Sequence, residues 1–132
     1  MRAACSSNSA RSGVAEAHGI DPRQVTSPTF VYLVDYPGRS GPVAHADLYR
    51  FAGLDGQARA RAIDGIGLID TFAEARVTVV EWWEYYEGPP PHSLAVVEFV
   101  PGKADHRLIR FSFRGLDGAA IGAAVGARRE RE

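Results

Sequence analysis

Residues 77–81 read VTVVE, a β-branched run that ends at a carboxylate. Valine and threonine favour extended backbone, and a short continuous apolar run is typical of a central strand covered on both faces. A carboxylate at the end of such a strand lies where α/β sheets build their sites. The run therefore predicts an α/β fold with Glu81 at the carboxyl end of a central strand.

The remaining segments predict the other elements of a mixed sheet. FVYLVDY at 30–36 is rich in β-formers, and a turn rich in glycine and proline separates it from a second strand at 42–47, which together predict a β-hairpin. Further predicted elements are a helix at 13–18, a helical region at 54–72, and strands at 93–100 and 108–113.

The expected domain organisation is a single α/β domain at 13–115 with a segment on either side. Residues 1–12 are small, polar and aperiodic, which predicts disorder or mistranslated sequence. Residues 116–132 form an Ala/Gly stretch with the charged end RRERE. Because glycine is a poor helix former, a loosely ordered tail is expected there.

Composition limits the classes of partner. The 132 residues carry a formal net charge of −1 and one cysteine, Cys5. The near-neutral balance gives no argument for direct binding of nucleic acid or for a membrane partner. The longest weakly polar run, 118–127, falls short of the roughly 20 residues that a spanning helix needs. The lone cysteine fits a reducing compartment, so a cytoplasmic location is expected.

Polar side chains concentrate in VAHADLYRF at 43–51. His45 and Asp47 are two apart on a predicted strand and project to one face. If Asp47 and Glu81 converge at the carboxyl ends of their strands, they could hold a hard metal ion or orient a water. Local sequence leaves another explanation open, in which Asp47 pairs with Arg50 or caps the next turn. His45 is more simply explained as a structural histidine.

Two further stretches carry candidate groups. Trp82 and Trp83 follow Glu81, and such residues are more often core or rim aromatics than stacking platforms. Ser27-Pro-Thr29 predicts a stiff turn that leads into a strand, with two hydroxyls that could face a ligand.

No glycine-bearing stretch of these 132 residues matches a phosphate-binding loop. Gly102-Lys103 is followed by alanine and lacks the earlier glycine of the pattern. Gly65-x-Gly67 lacks the third glycine of a dinucleotide fingerprint. The sequence therefore offers no backbone cradle for a nucleotide phosphate.

Three blocks, taken in order and with their spacing, resemble a known family. TSPTFVYLVDY at 26–36, HADLYRF at 45–51 and VTVVEWWE at 77–84 are similar to the signature blocks of TsaE, also called YjeE. Members are small bacterial ATPases that serve threonylcarbamoyladenosine modification of tRNA. The resemblance covers about 13–114. It implies a P-loop NTPase-like mixed sheet with flanking helices, Mg²⁺ and ATP as cofactors, and other subunits of the threonylcarbamoyl-transferase complex as partners.

The resemblance also implies roles for individual residues. Glu81 and Asp47 would be the catalytic pair: Glu81 would coordinate Mg²⁺, and Asp47 would help to bind the ion or position the attacking water. The implied nucleotide-binding residues are Ser27, Thr29 and Trp82, and the implied supporting residues are His45, Tyr49 and Arg50.

One part of the family pattern is not found. Members begin with a strand, a GxxGxGKT-type loop and a helix whose end resembles 13–20, whereas this sequence has MRAACSSNSARS before that point. Without the loop, Glu81 and Asp47 would repel a triphosphate. The expectation is a truncated copy, lacking the first strand and the phosphate loop, that alone neither binds ATP tightly nor hydrolyses it.

Two alternatives remain open at this point. One is a non-catalytic protein-interaction domain that uses the aromatic stretch 82–86 as a docking surface. The other is a metal hydrolase built on His45, Asp47 and Glu81, for which the sequence offers too few additional ligands.

Overall fold

The computed structural model describes residues 4–25, 32–102 and 107–129. Helices in these ranges are Ala4–Ala17 (α1), Gly56–Gly65 (α2), Leu68–Glu74 (α3) and Gly118–Arg129 (α4). Strands are Leu33–Gly38 (β1), Gly41–Asp47 (β2), Val77–Glu81 (β3), Leu94–Pro101 (β4) and Arg107–Arg114 (β5). The predicted α/β fold is confirmed. No helix among these residues is both long and apolar enough to cross a membrane.

The chain divides into two compact units, Met1–Gly88 and Pro89–Glu132. The first unit contains a three-stranded mixed sheet in the order β1-β2-β3. Strands β1 and β2 form the predicted antiparallel hairpin, and β3 lies parallel to β2 on its other side. The predicted domain boundaries at 13–115 stay a prediction.

The central position in this sheet belongs to β2, and the expectation for VTVVE was wrong in that respect. Strand β3 forms as predicted, but it lies at one edge of the three strands described and all five of its residues are only half-buried. In β2, by contrast, four consecutive residues from Val43 to Ala46 are buried. Apolar letters predict a strand, but the pairing of the strands decides which of them is covered.

Two clusters of apolar side chains hold the first unit together. The larger one lies where β2 meets α2 and α3, and its buried members are Ala46, Leu48, Phe51, Ile63 and Leu68. The smaller one joins α1 to the sheet, and its buried members are Ala15, Ile20, Val25 and Val43. Asp55 precedes helix α2, and its carboxylate accepts the Ala58 N–H at 2.9 Å and so caps the helix.

Helix α1 differs from expectation at its start and agrees at its end. It begins at Ala4, so residues 4–12 are helical where disorder was expected. Burial of the face that carries Arg11 and Ala15 explains this, because packing rather than intrinsic propensity stabilises most helices. The end follows the prediction: Gly19 is left-handed, with φ +74, and the Ile20 N–H bonds the Ala15 carbonyl at 2.9 Å.

The second unit consists of an antiparallel ribbon and a helix. Strands β4 and β5 pair from Leu94↔Arg114 to Pro101↔Arg107, which confirms the two strands predicted there. The tail expected to be loosely ordered is helix α4 as far as Arg129. Asp117 explains the difference, since its carboxylate accepts the Ala120 N–H at 3.0 Å and caps a segment rich in alanine.

Candidate functional site

The carboxyl ends of β2 and β3 bring two acidic residues together. The strands run parallel, and their register places Asp47 opposite Glu81. Residues that pair in register project to the same face of a sheet, as do residues two apart on one strand, so His45 shares this face. The sheet therefore places the Asp47 and Glu81 side chains next to each other, at the carboxyl ends of the two strands.

Glu81 is held from two sides. Its Oε1 accepts a hydrogen bond from Arg11 Nη1 at 3.1 Å and lies 2.8 Å from His45 Nε2. The exposed fractions are 8% for the Arg11 side chain, 12% for Glu81 and 2% for His45. We call these three residues the Arg11–Glu81–His45 cluster. Because Arg11 is always charged, the cluster contains a buried ion pair that joins helix α1 to the end of β3.

The orientation of His45 follows from this contact. A carboxylate accepts hydrogen bonds and does not donate them, so the hydrogen of the short contact with Glu81 is on Nε2. His45 Nδ1 is buried and has no hydrogen-bond partner among the residues that the structure describes. The side-chain contact of His45 is thus with Glu81, as a structural histidine would make.

Asp47 is engaged locally. Its Oδ1 accepts the backbone N–H of Tyr49 at 3.0 Å, which fixes the turn that follows β2. The sequence had left a turn-capping role open for this residue, and the structure contains that hydrogen bond. Arg50 extends over the ring of Tyr32, with its guanidinium carbon 5.8 Å from the ring centroid. Its role in supporting Asp47 stays a prediction.

Aromatic residues surround the end of β3. Trp82 has a φ of 59°, a left-handed conformation that non-glycine residues seldom adopt. This bend directs the chain into a short 3-10 helix, Trp83–Tyr85. The rings in contact around it, which we call the aromatic cluster, are Tyr49, Phe72, Trp82, Trp83, Tyr85 and Tyr86.

The aromatic cluster is both core and rim. All of its members except Tyr49 and Trp83 pack against the larger apolar core. Tyr49 is 56% exposed, and its ring centroid lies 4.9 Å from that of Trp82. Arg59 covers Tyr85 at 5.0 Å. The nucleotide-binding role implied for Trp82 stays a prediction.

Two tyrosines have pKa values above the ordinary value for this side chain. Burial raises the pKa of Tyr36, and the positive charge of Arg11 acts in the opposite direction. Burial also raises the pKa of Tyr86, and the negative charge of Asp64 adds to the increase. The effect at Tyr36 shows that the Arg11 charge reaches beyond Glu81 to the neighbouring hairpin.

Two predicted site residues, Ser27 and Thr29, lie outside the described residues. One residue of the site, Arg11, was not predicted, because it falls in a segment that was expected to be disordered. A signal did exist, since Arg11, Val14 and Ala15 recur at the spacing of one helix face.

The residues present do not fit the divalent ion that the resemblance implies. Across the described ranges, no three His, Cys, Asp or Glu side chains lie close enough to hold a metal ion together. One of the two Glu81 carboxylate oxygens, Oε1, already accepts a hydrogen bond from a guanidinium. The same finding leaves the metal-hydrolase alternative without a ligand set in this part of the chain.

Comparison with known protein families identifies the family of this chain. The family model described as threonylcarbamoyl adenosine biosynthesis protein TsaE matches residues 9–109, a span that includes Arg11, Asp47 and Glu81. A search of curated proteins found no match. Because the matched span is well over half of the chain and contains the whole three-stranded sheet, the chain belongs to the TsaE family of threonylcarbamoyladenosine biosynthesis proteins.

Proposed function

We propose that this chain is a TsaE-type component of tRNA threonylcarbamoyladenosine biosynthesis that, as the 132-residue polypeptide, neither binds Mg-ATP tightly nor hydrolyses it. The observation that carries the second part is the ion pair between Arg11 and Glu81. A carboxylate that a buried guanidinium already neutralises is a poor ligand for a second cation, because the incoming ion must displace the first.

The sequence supports the same conclusion, because it lacks the groups that bind the phosphates of ATP. A phosphate loop provides backbone N–H groups and a lysine that together offset the charge of a triphosphate. These 132 residues contain no GxxxxGK[ST] pattern. The polypeptide therefore lacks the groups of a phosphate loop that would hold a triphosphate beside Asp47 and Glu81.

Within this proposal the family roles become specific assignments. Asp47 and Glu81 are the catalytic and metal-binding pair of a complete site, and Trp82 lies beside the nucleotide with Ser27 and Thr29. The chain acts in the cytoplasm through other subunits of the threonylcarbamoyl-transferase complex and does not bind tRNA itself. A formal net charge of −1 agrees with a protein partner better than with RNA.

Isothermal titration with Mg-ATP tests the proposal. We expect no saturable heat, which corresponds to a dissociation constant weaker than about 1 mM, and no phosphate release above background. The titration is repeated with ATP in EDTA, so that binding through the metal is separated from binding through the base. A micromolar dissociation constant for Mg-ATP would contradict the proposal.

A second candidate function is a protein-interaction domain, and the exposed part of the aromatic cluster favours it. Tyr49 projects into solvent beside Trp82, and aromatic residues of this kind are enriched at interfaces. Binding of the purified transferase subunit separates the two candidates. A docking domain binds it without nucleotide and loses binding in Tyr49→Ser but not in Leu54→Ser, which alters another exposed apolar residue.

A further inference from the structure

We propose that Arg11 is a built-in counter-ion that closes the Glu81 carboxylate to divalent cations, so that helix α1 blocks this end of the sheet from within the chain. If Arg11 moved away, Asp47 and Glu81 would be available to bind a Mg-nucleotide. This part of the proposal rests on the function proposed above. The closure of Glu81 by Arg11 does not rest on it.

The first support is the position of Arg11 on its helix. Arg11, Val14 and Ala15 share one face of α1, and this face lies against Val43 and Val79 of the sheet. The Arg11 side chain is 8% exposed there, so little water separates it from the sheet.

The second support is the sharing of Glu81 Oε1. Arg11 Nη1 and His45 Nε2 both contact this one oxygen, at 3.1 and 2.8 Å. A metal ion approaching it would meet the guanidinium at short range with little water between them, where like charges repel strongly. Arg11 would have to leave before a dication could bind through this atom.

The third support is that a change of pH within the physiological range does not remove the Arg11 charge. A guanidinium keeps its charge at every physiological pH, so the charge leaves Glu81 only when the Arg11 side chain or helix α1 moves. The carboxyl end of α1 is well anchored, because Ala15 and Ile20 are buried and the Arg39 N–H bonds the His18 carbonyl at 2.8 Å. Opening therefore requires Arg11 to move away from Glu81.

The test uses Tb³⁺ alone as the probe, with luminescence sensitised by Trp82 beside the site. Wild-type protein should show no saturable signal at micromolar Tb³⁺. Arg11→Met, which keeps the length of the stem but removes the charge, should bind Tb³⁺ at least about tenfold more tightly. Added Mg²⁺ should displace it, and Arg11→Met/Glu81→Gln should lose the gain.

The control removes an equal charge elsewhere in the first unit. Arg23 pairs with Asp21 at 2.8 Å, and its side chain is 90% exposed. Arg23→Met should therefore behave as wild type does. Equal Tb³⁺ binding by wild type and folded Arg11→Met would overturn the proposal, whether both bind or neither does.

A second measurement serves if Arg11→Met fails to fold. Trypsin cleaves after arginine, and the buried Arg11 should resist it in the wild type. Glu81→Gln removes the partner charge and should speed cleavage after Arg11 by about tenfold, relative to cleavage after Arg59 in the same molecule. Glu98→Gln, which alters an exposed ion pair, should leave the ratio unchanged. An unchanged ratio in Glu81→Gln would overturn the proposal even if the polypeptide never binds Mg-ATP.

Discussion

The three-stranded sheet and the β4–β5 ribbon contain the same kind of ion pair in opposite surroundings. In the sheet, Arg11 and Glu81 meet at 3.1 Å with side chains 8% and 12% exposed. In the ribbon, Arg110 and Glu98 meet at 2.6 Å with side chains 61% and 55% exposed. The shorter contact is the weaker one, because water screens an exposed pair and replaces a lost partner. Burial decides the energetic weight of these pairs.

The burial of apolar residues also differs between the sheet and the ribbon. Strand β2 buries Val43, Ala44 and Ala46 between helices and neighbouring strands. In the ribbon, the register places Val97 opposite Phe111, yet these two apolar residues are 40% and 47% exposed. A two-stranded ribbon has no third strand to extend its apolar face and is marginally stable by itself.

The largest expected effect comes from breaking the two ion pairs. Glu81→Ala removes the carboxylate that pairs with the buried Arg11 charge, and we expect it to lower the free energy of unfolding by about 3–5 kcal/mol. Glu98→Ala should lower it by less than about 1 kcal/mol, because water solvates Arg110. Urea unfolding followed by tryptophan fluorescence and circular dichroism measures both.

A double variant sharpens this test. Arg11→Met/Glu81→Leu replaces the buried pair with apolar groups of similar size, so it should recover most of the stability that Glu81→Ala loses. Equal losses in Glu81→Ala and Glu98→Ala would show that the buried pair has no special weight.

A smaller effect is expected from removing one methylene in each region. Ile63 is 3% exposed in the core, and Ile63→Val should lower the free energy of unfolding by about 0.5–1.5 kcal/mol. Ile109 is 42% exposed in the ribbon, and Ile109→Val should change it by no more than about 0.5 kcal/mol. The same urea titration compares the two, and a larger loss in the ribbon would reverse the comparison.

The smallest effect is a loss of stability at alkaline pH. The pKa values of Tyr36 and Tyr86 are raised from 10.0 in the folded state, so the unfolded chain loses these protons first as pH rises. Their contribution is fully present below pH 10 and declines as pH rises through the folded-state pKa values.

Thermal unfolding as a function of pH measures this contribution. All tyrosines of the sequence precede residue 89, so the alkaline loss should belong to the first unit. Tyr36→Phe and Tyr86→Phe should each flatten the decline above pH 10, whereas an identical decline in both variants would contradict the assignment.

The elements that were predicted correctly are those that depend on residues close together in the sequence. The hairpin follows from β-forming residues on both sides of a glycine-rich turn, and the end of α1 follows from Gly19. The start of α1 and helix α4 were missed, because alanine- and serine-rich segments have weak signals of their own. Burial of the Arg11 face stabilises the former, and the Asp117 cap begins the latter.

By itself, the sequence determined the α/β class and the family, because β-forming runs and three motif blocks are short-range signals. It also predicted that Asp47 and Glu81 could converge, and the pairing of β2 with β3 places them opposite each other. Only the tertiary structure decided what occupies the Glu81 carboxylate. Arg11 reaches it from helix α1, across 70 residues of sequence, and no local pattern encodes such a contact.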